Sequence, residues 1–478
     1  MQPRDASKPQ YALEQSRDTA MSFGGWIRAV RAARVYRSGQ PVRELCARAP
    51  YALFGLAVVV AISACSDLTK ISNTQVTQPS AFDNPTGALI RRAGAYREFS
   101  NAFASQVLYT GLLADELSDS RGVLAVADLR DITPNNQQDG LTFPYPELST
   151  ARLEGLRAIA SLEQYNPIPR SRIAEMFALV GYVEVFFAED MCSGVPLANI
   201  VGDRPVLGPT LSRSMLLQRA LSDFDSAAVN ALDSAGNADS TTTRLAAVGH
   251  GRALTDSGDL AGAALAVQNV PISFLYATNY DGAVQTNAVA ALFTGTVSVS
   301  EREGINGLPF VTAADPRVTT DSNPAFPFDG HALYVFRPLE SATAPLGLAG
   351  GIEASLIRAE ARLNAGDITG WTDTLDALRQ AAISPPIAAL SADSTANAPD
   401  STRTLVMFRE RAFWLFLTGH RQGDMRRLVR TTGRSPDNVF PVGQYAGGGG
   451  LQYGTSVNFV PFLETGNPNY SGCFDRSP

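Results

Sequence analysis

Two stretches of this chain share one pattern, in which a helical run is followed by a Gly-Asp turn and a second helical run. They cover residues 242–256 and 260–270 around Gly258-Asp259, and residues 352–365 and 370–382 around Gly366-Asp367. Glycine at such a position interrupts a helical pattern and marks a turn. Aligning the two turns superimposes small residues, which suit helices that pass closely: Ala246 with Ala354, and Ala253 with Ala361. The pattern predicts two antiparallel helical hairpins, at about 242–270 and 352–382.

Apolar residues recur at helical spacing through most of the remaining chain. The further predicted helices cover residues 87–119, 147–164, 170–189, 210–232 and 403–430. The run at 170–189 is apolar nearly all round, which is typical of a helix at the centre of a core. Residues 271–351 keep no sustained period, so we expect loops and short strands inserted between the hairpins. The sequence therefore predicts a mostly α fold with a loop-rich, partly β insertion.

The two hairpins resemble tetratricopeptide repeats, in which helix–turn–helix units stack side by side. The resemblance implies a scaffold of tetratricopeptide-like hairpins. Two unrelated hairpins that share a common turn would produce the same pattern.

Residues 51–65 have the character of a bacterial export signal. Eleven uncharged, mostly apolar residues run from 51 to 61, arginines precede them, and no acidic residue lies between Arg48 and Cys65. The run is too short to span a bilayer comfortably. It ends in Ile62-Ser63-Ala64-Cys65, which resembles the lipobox of bacterial lipoproteins, where the cysteine is acylated and becomes the new N-terminus. We therefore expect residues 1–64 to be removed and Cys65 to carry acyl chains of the palmitate type. Residues 65–85 would form an extended leader and residues 86–478 a single domain.

The exported chain is acidic. Removal of residues 1–64 takes away 9 of the 39 basic and 4 of the 46 acidic residues, which leaves 30 basic and 42 acidic groups and a net charge of −12. Nucleic acid is disfavoured as a partner because it is bound mainly through its phosphates.

Two of the four cysteines remain in the exported domain beyond the lipidation site, Cys192 and Cys473. In an oxidising compartment two thiols would most simply pair, so we predict a Cys192–Cys473 disulfide. Two unpaired buried thiols are the alternative.

No motif in the chain requires catalysis, a metal ion or a cofactor. The three histidines, His250, His331 and His420, lie outside any zinc-ligand spacing, and no Gly-x-Ser-x-Gly elbow is present. Asp115, Glu116 and Asp119 could suggest a calcium site or a catalytic acid. We interpret these three residues as the solvated end of the helix at 87–119, and the protein as a non-enzyme.

Several motifs, in order, resemble the SusD/RagB family of outer-membrane lipoproteins. Residues 408–428 contain Glu-Arg, an apolar helix, Gly-His-Arg and Asp-x-Arg-Arg, and residues 181–197 contain an aromatic helix that leads into Gly-Val-Pro-Leu. Asp315-Pro-Arg317 and Asn467-Pro-Asn469 also match, whereas Gln422-Gly423 stands where the family commonly has an aromatic pair. The motif residues are Glu410, Arg411, Gly419, His420, Arg421, Asp424, Arg426 and Arg427. We interpret this charged cluster as structural, with His420 and Asp424 meeting on one helix face.

The resemblance implies a surface-exposed lipoprotein of the outer membrane that covers a TonB-dependent transporter of the SusC type and captures a glycan or peptide for import. Sugars bind through aromatic faces and a few polar groups. The candidate aromatic residues for ligand binding are Phe143, Tyr145, Tyr276, Tyr280 and Phe293. Two alternatives are a lipid-anchored, tetratricopeptide-like scaffold for protein–protein interactions in the envelope, and a glycoside hydrolase built on helical hairpins.

Overall fold

Helices dominate the fold. The structure, a computed structural model, describes residues 82–133, 144–202, 204–233, 235–301, 303–323, 332–445 and 447–478. The mostly α prediction is confirmed, because these ranges hold twelve α-helices and only short strands. The helices are α1 Pro85–Leu113, α2 Ala125–Asp128, α3 Tyr145–Tyr165, α4 Ser171–Asp190, α5 Arg213–Asn230, α6 Ser240–Ser257, α7 Leu260–Ala266, α8 Ala288–Leu292, α9 Gly351–Asn364, α10 Ile368–Ala381, α11 Asp400–Trp414 and α12 Arg421–Thr432.

The strands form small antiparallel pairs. They are β1 Leu117–Asp119, β2 Val195–Pro196, β3 Asn199–Val201, β4 Arg204–Val206, β5 Thr210–Leu211, β6 Leu275–Thr278, β7 Val297–Val299, β8 Thr320–Asn323, β9 Leu333–Phe336 and β10 Leu346–Gly350. The pairs are β1 with β7, β2 with β5, β3 with β4, β6 with β10, and β8 with β9. Five of these strands, β6 to β10, fall within residues 271–351, as the sequence predicts for the insertion.

Long helices pack largely in chain order, with α4 at the centre. Helix α4 contacts α1, α3, α5 and α6, and every residue from Ala178 to Asp190 is buried. Helices α4 and α6 meet around Phe224 of α5. A Cβ atom at Gly249 of α6 would lie 2.3 Å from the Phe224 ring, so glycine is required for this close approach.

Both predicted hairpins are present and turn by the same chemistry. Gly258 and Gly366 adopt left-handed backbone conformations, with φ of 92° and 77°. The aspartate that follows each glycine caps the next helix. Asp259 accepts a hydrogen bond from the N–H of Gly262, and Asp367 accepts one from the N–H of Gly370, both at 2.9 Å. Both hairpins therefore turn in the same way because each has a glycine followed by an aspartate at the turn.

The helix predicted for residues 403–430 is interrupted, which corrects the sequence interpretation. Helix α11 ends at Trp414 and α12 begins at Arg421. In the intervening turn, Leu417 and Gly419 have positive φ values of 53° and 72°. A side chain at Gly419 would be strained by the positive φ, and its Cβ would lie 2.2 Å from Oε1 of Gln106, so the amide of Gln106 would have to move. The turn places the charged residues of the motif on two helices.

The helix predicted for residues 87–119 also ends earlier. Helix α1 stops at Leu113, and Leu117–Asp119 form β1, which pairs with β7. The backbone leaves the helix at Ala114, whose N–H bonds to the carbonyl of Thr110 at 3.0 Å. The acidic residues 115, 116 and 119 therefore do not lie at a solvated helix end.

The carboxyl-terminal tail is fastened to the end of α4. Cys192 and Cys473 form a disulfide, in agreement with the sequence prediction. Next to it, the N–H of Cys192 donates to the carbonyl of Phe459 at 2.8 Å, and the N–H of Ser193 donates to that of Asp475 at 2.9 Å. The predicted signal and Cys65 lie outside the described residues. No helix among the described ranges is long and apolar enough to traverse a bilayer.

Candidate functional site

The carboxyl-terminal motif forms the centre of a buried group of charged residues, which we call the ionic network. Each member exposes 8% of its surface or less. The motif contributes Glu410, Arg411, His420, Arg421, Asp424 and Arg427, and other elements contribute Asp115, Glu189, Arg252, Asp256, Glu353 and Glu360. Buried charges of this number require close pairing because their desolvation is costly.

Asp424 links the two helices of the motif. Its Oδ2 lies 2.7 Å from Nε of Arg411 on α11, and its Oδ1 lies 2.8 Å from Nη2 of Arg427 on α12. Burial alone would raise the pKa of Asp424, but the guanidinium groups of Arg411 and Arg427 outweigh it and hold that pKa well below its usual range. Arg427 also pairs with Glu360 of α9, so Asp424 and its partners join three helices.

Arg252 of α6 connects the centre of the core to the turn between α11 and α12. Its Nε and Nη2 lie 2.7 and 2.5 Å from the two carboxylate oxygens of Glu189 on α4. The same Nη2 donates to the carbonyl of Gly419 at 2.8 Å. The left-handed backbone at Gly419 is thus held by a residue from a distant helix.

Two further residues of the motif, Glu410 and Arg426, contact the insertion and the end of α4. Glu410 accepts hydrogen bonds from Arg317, at 2.7 Å, and from Arg379, at 2.6 Å. Arg317 also pairs with Asp315 at 2.7 Å, which gives the Asp315-Pro-Arg317 motif a structural purpose. Arg426 donates to the carbonyls of Glu189 and Met191 at the end of α4. Burial, together with the charges of Arg430 and Arg213, lowers the pKa of Arg426 to about 9.

Residues 115, 116 and 119 are buried, which corrects the interpretation of a solvated helix end. Asp115 pairs with Arg421, and Oε1 of Glu116 accepts the N–H of Leu417 at 2.9 Å. Asp119 accepts the N–H of Arg121 at 2.9 Å. Among the described residues, no group of three or more His, Cys, Asp or Glu side chains could hold a metal ion.

His420 differs from its expected position. It lies just before α12, and its Nε2 is 3.0 Å from Oε1 of Glu353, so its partner is on α9 rather than Asp424 on its own helix. The arrangement as a whole ties α1, α4, α6, α9, α11 and α12 to one turn. It agrees with a structural role for the motif, since groups enclosed in this way are not open to a large substrate.

The aromatic residues proposed for ligand binding are, where described, parts of the core, and this is a correction. Tyr145, Tyr280 and Phe293 expose 5%, 7% and 2% of their surfaces. The hydroxyl groups of the two tyrosines have internal partners: that of Tyr145 donates to the carbonyl of Pro196 at 3.0 Å, and that of Tyr280 to the carbonyl of Ser100 at 2.9 Å. Tyr276 is half-buried and donates to Glu175 at 2.9 Å. Phe143 lies outside the described residues.

Aromatic residues of the core and of a binding surface look alike in sequence. The buried faces of Tyr145, Tyr280 and Phe293 are not available to stack on a sugar ring in this conformation. Sequence reasoning also overlooked a cleft, because its polar residues are scattered over four elements and form no motif.

The cleft has a volume of about 650 Å³ and lies between the start of α1, the second half of α3, the β3–β4 hairpin and α5. Its lining includes Arg91, Arg157, Ser161, Tyr165 and Arg219. The Oγ atom of Ser161 is buried and has no hydrogen-bond partner among the described residues. Volumes of roughly 300–1,000 Å³ are typical of small-molecule sites. The cleft therefore combines sufficient size with several hydrogen-bonding groups and one half-buried aromatic ring.

Solved structures with the same fold are SusD-like proteins. A SusD superfamily protein from Bacteroides thetaiotaomicron is 13% identical with a TM-score of 0.59, and the match covers 82% of this chain and 99% of that one. A SusD-like carbohydrate binding protein from Bacteroides fragilis is 14% identical with a TM-score of 0.54, covering 81% and 99%. One from Bacteroides vulgatus is 12% identical with a TM-score of 0.54, covering 72% and 83%.

No family model matches the sequence, and no curated protein matches it. At these low identities the structural likeness establishes the fold. The chain has the SusD-like fold over most of its length, which confirms the fold that the motifs indicated.

Proposed function

We propose that this protein is a lipid-anchored, SusD-type carbohydrate-binding protein that captures a glycan and delivers it to a SusC-like TonB-dependent transporter in the outer membrane. The observation that carries the proposal is the SusD-like fold, since two of the structures that share it are described as carbohydrate binding. Fold alone does not specify function, so the proposal also depends on features of this chain.

The first such feature is the cleft. A sugar chain presents many hydroxyl groups, which pair with guanidinium, hydroxyl and amide side chains, and apolar ring faces, which pack on aromatic rings. The cleft offers Arg157 and Arg219 as donors and Tyr165 as a ring. Arg219 is held in place by Glu184, at 3.2 Å, while 42% of its side chain stays exposed. We propose the cleft as the site that holds an oligosaccharide.

The second feature is the structural role of the charged residues in the ionic network. The ionic network is enclosed and internally paired, so it serves the packing of helices rather than chemistry on a substrate. We propose that the protein binds its ligand without transforming it, and that the transporter performs the next step.

The third feature is the predicted anchor. Helix α1 begins at Pro85, 20 positions after Cys65. A fully extended chain of that length spans at most about 70 Å. We propose that acylated Cys65 and this leader hold the domain at the outer membrane while leaving it free to cover a transporter.

Binding is tested with the native lipoprotein purified in detergent and a panel of hexasaccharides, using isothermal titration calorimetry. We expect one class of glycan to bind, and the Arg157→Ala and Tyr165→Ala variants to bind it at least tenfold more weakly. Arg337→Ala is the control, because Arg337 is half-exposed and lies in the exposed ion pair with Asp321. Absence of binding to every glycan, with an intact fold, would contradict the proposal.

Anchoring and partnership are tested separately. The Cys65→Ser variant should leave the membrane fraction, and a pull-down of the native protein should recover a TonB-dependent barrel. Recovery of envelope proteins without a barrel would favour the lipid-anchored scaffold instead. Release of reducing sugar by the purified protein would favour a hydrolase.

A further inference from the structure

The cleft proposed for the glycan gathers positive charge, although the chain as a whole has a net charge of −7. Arg91, Arg157 and Arg219 belong to its lining, and Asp83 is the one acidic residue among the described residues that line it. Three arginines against one aspartate reverse the charge balance of the chain at this place. A cleft lined by one sign of charge concentrates ligands of the opposite sign.

Two of these arginines have hydrogen-bond donors to spare. Among the described residues, Arg219 bonds only to Glu184, through Nε at 3.2 Å. Arg157 bonds, within the same described ranges, only to Glu154, through Nη1. The two arginine side chains are 42% and 24% exposed, so a ligand can reach their remaining N–H groups. The planar fork of a guanidinium group matches the paired oxygens of a carboxylate or a similar oxyanion.

The acidic partner of Arg219 is already engaged by a second arginine. Glu184 of α4 is buried, and its Oε1 lies 2.7 Å from Nε of Arg152 on α3. Asp223, one turn after Arg219 on α5, lies within hydrogen-bonding range of Glu184. No other described residue donates a hydrogen bond to Oε2 of Glu184. Two carboxyl groups bond to each other only when one of them holds a proton, because ionised carboxylates are acceptors alone.

Asp223 holds this proton at neutral pH. Burial raises the pKa of Asp223 to about 8, and the negative charge of Glu184 and the hydrogen bond to it act in the same sense. The charges of Arg152 and Arg219 oppose this rise. These groups, from α3, α4 and α5 itself, are the charges that act most strongly on Asp223. The neutral carboxyl group therefore leaves the charge of the arginines in place at pH 7.

The cleft consequently keeps a positive charge when the partners of its arginines are included. The lining and these partners comprise four arginines and three carboxylates: Arg91, Arg152, Arg157 and Arg219, and Asp83, Glu154 and Glu184. One positive charge remains, and it lies where N–H groups are open to a ligand.

We propose that the cleft selects an anionic glycan, whose carboxylate or sulfate groups bind the open N–H groups of Arg157 and Arg219. A charged acceptor forms shorter and stronger hydrogen bonds with a guanidinium group than a neutral hydroxyl group does. Tyr165, which lines the same cleft, packs on a sugar ring beside the anion. The choice of a glycan as the carrier of the anion rests on the proposed function.

The experiment uses the native lipoprotein in nonionic detergent and isothermal titration calorimetry with four hexasaccharides. Hexagalacturonate carries only carboxylates as charged groups, a κ-carrageenan hexasaccharide carries only sulfates, and maltohexaose and xylohexaose are neutral. We expect at least one acidic hexasaccharide to bind about tenfold more tightly than both neutral ones. Its affinity should fall when the salt concentration rises. The acidic probe that binds identifies the anion.

Two variants remove charge from the cleft. Arg157→Gln and Arg219→Gln each keep an amide donor, and each should weaken the binding of the acidic hexasaccharide about tenfold. Arg337→Gln is the matched control, because Arg337 also pairs with an acidic residue, Asp321, but does not line the cleft. It should leave the affinity unchanged.

The role of Asp223 is tested by changing the pH. Wild type should bind the acidic hexasaccharide about fivefold more weakly at pH 9 than at pH 7, because ionised Asp223 cancels the remaining positive charge. Asp223→Asn keeps a neutral donor to Glu184 at every pH and should lose this decline. Asp225→Asn is the control and should keep it, since the Asp225 side chain lies on the same helix, is 72% exposed and faces His250.

The inference is overturned if a neutral hexasaccharide binds as tightly as both acidic ones, or if both glutamine variants bind the acidic one as wild type does. Either result leaves the proposed function standing. Equal declines for wild type and Asp223→Asn would overturn the role given to the proton on Asp223. Failure of both acidic hexasaccharides to bind would overturn the inference, and failure of every glycan in the wider panel would overturn the proposed function as well.

Discussion

Arg421 and Asp115 lie 306 positions apart and form a two-point ion pair, in which Nε is 2.6 Å from Oδ1 and Nη2 is 2.8 Å from Oδ2. Asp115 also accepts the N–H of Leu308 at 3.0 Å. The pair therefore joins the turn after α1, the insertion and α12 at one buried point. Because both charges are enclosed, each depends on the other for its stability in the folded state.

The first prediction concerns this pair. The Asp115→Asn variant keeps the size of the side chain but leaves the Arg421 charge without its partner. We expect the free energy of unfolding to fall by about 3–5 kcal/mol, the usual loss when one member of a buried pair is removed. Urea denaturation followed by circular dichroism measures this change.

The control for the first prediction is Asp321→Asn, which breaks the ion pair with Arg337. Those two side chains remain 49% and 57% exposed, and exposed pairs contribute little because solvent screens them. We expect no measurable shift in the midpoint. A loss for Asp115→Asn no larger than that of the control would show that the network does not stabilise the fold through charge pairing.

The second prediction concerns the dependence of stability on pH. Burial raises the pKa of Glu116 to about 8, and Asp115 adds to this effect, while the N–H of Leu417 and the charge of Arg421 oppose it. Between the ordinary glutamate value and pH 8 the folded protein holds a proton that the unfolded chain has lost. Stability from this group is therefore complete below about pH 4.5 and is lost as the pH rises through 8.

We expect the free energy of unfolding to decline from pH 5 to pH 8, and the Glu116→Gln variant to decline less steeply. Asp281→Asn is the control, because backbone N–H groups from Gln285 and its neighbours lower the pKa of Asp281 and its contribution is lost only at acidic pH. Equal slopes for wild type and Glu116→Gln over this range would be evidence against a protonated Glu116.

Local chemistry explains which parts of the fold the sequence could predict. The two hairpins follow from Gly258-Asp259 and Gly366-Asp367, where a left-handed glycine and a capping aspartate act within four residues. Helix α4 follows from an unbroken apolar run. The disulfide follows from the presence of only two cysteines after Cys65. The inferences about the hairpins and α4 need no knowledge of a distant part of the chain, and the disulfide needs only a count of the cysteines.

Distant contacts explain the failures. The break between α11 and α12 depends on Gly419 packing against Gln106 and bonding to Arg252, and periodicity does not record either contact. In the sequence, only Gly419 indicated that the helix is interrupted here, since glycine commonly marks a helix end. Likewise, Asp115 and Glu116 have the composition of an exposed helix terminus, and only their partners near position 420 show that they are buried.

The third prediction compares two glycines in different backbone conformations. Gly94 lies inside α1 with no heavy atom within 4 Å of a Cβ, and Gly433 caps α12 with φ of 65°. Alanine at position 94 should stabilise the protein by about 0.5–1 kcal/mol, because it restricts the unfolded chain and suits a helix. Alanine at position 433 should destabilise it by about 1–2 kcal/mol, because the left-handed conformation is strained for residues with a Cβ.

Chemical denaturation of the two alanine variants at one pH measures both effects. The test is whether the two variants change the free energy of unfolding in opposite directions, and each variant serves as the control for the other. Stabilisation by Gly433→Ala would show that α12 does not end in the left-handed conformation.

The last prediction concerns the disulfide that fastens the tail. Cys192 and Cys473 are 281 positions apart, so the crosslink restricts most of the unfolded domain, and its loss should cost about 2–5 kcal/mol. The tail also bonds to Ser193, whose carbonyl accepts the N–H of Phe474 at 2.7 Å. We therefore expect the Cys192→Ser/Cys473→Ser variant to fold with a lower urea midpoint and faster hydrogen exchange at residues 470–478. Reductant should lower the midpoint of wild type but not that of the double variant. An unchanged wild-type midpoint after full reduction would mean that the backbone hydrogen bonds alone hold the tail.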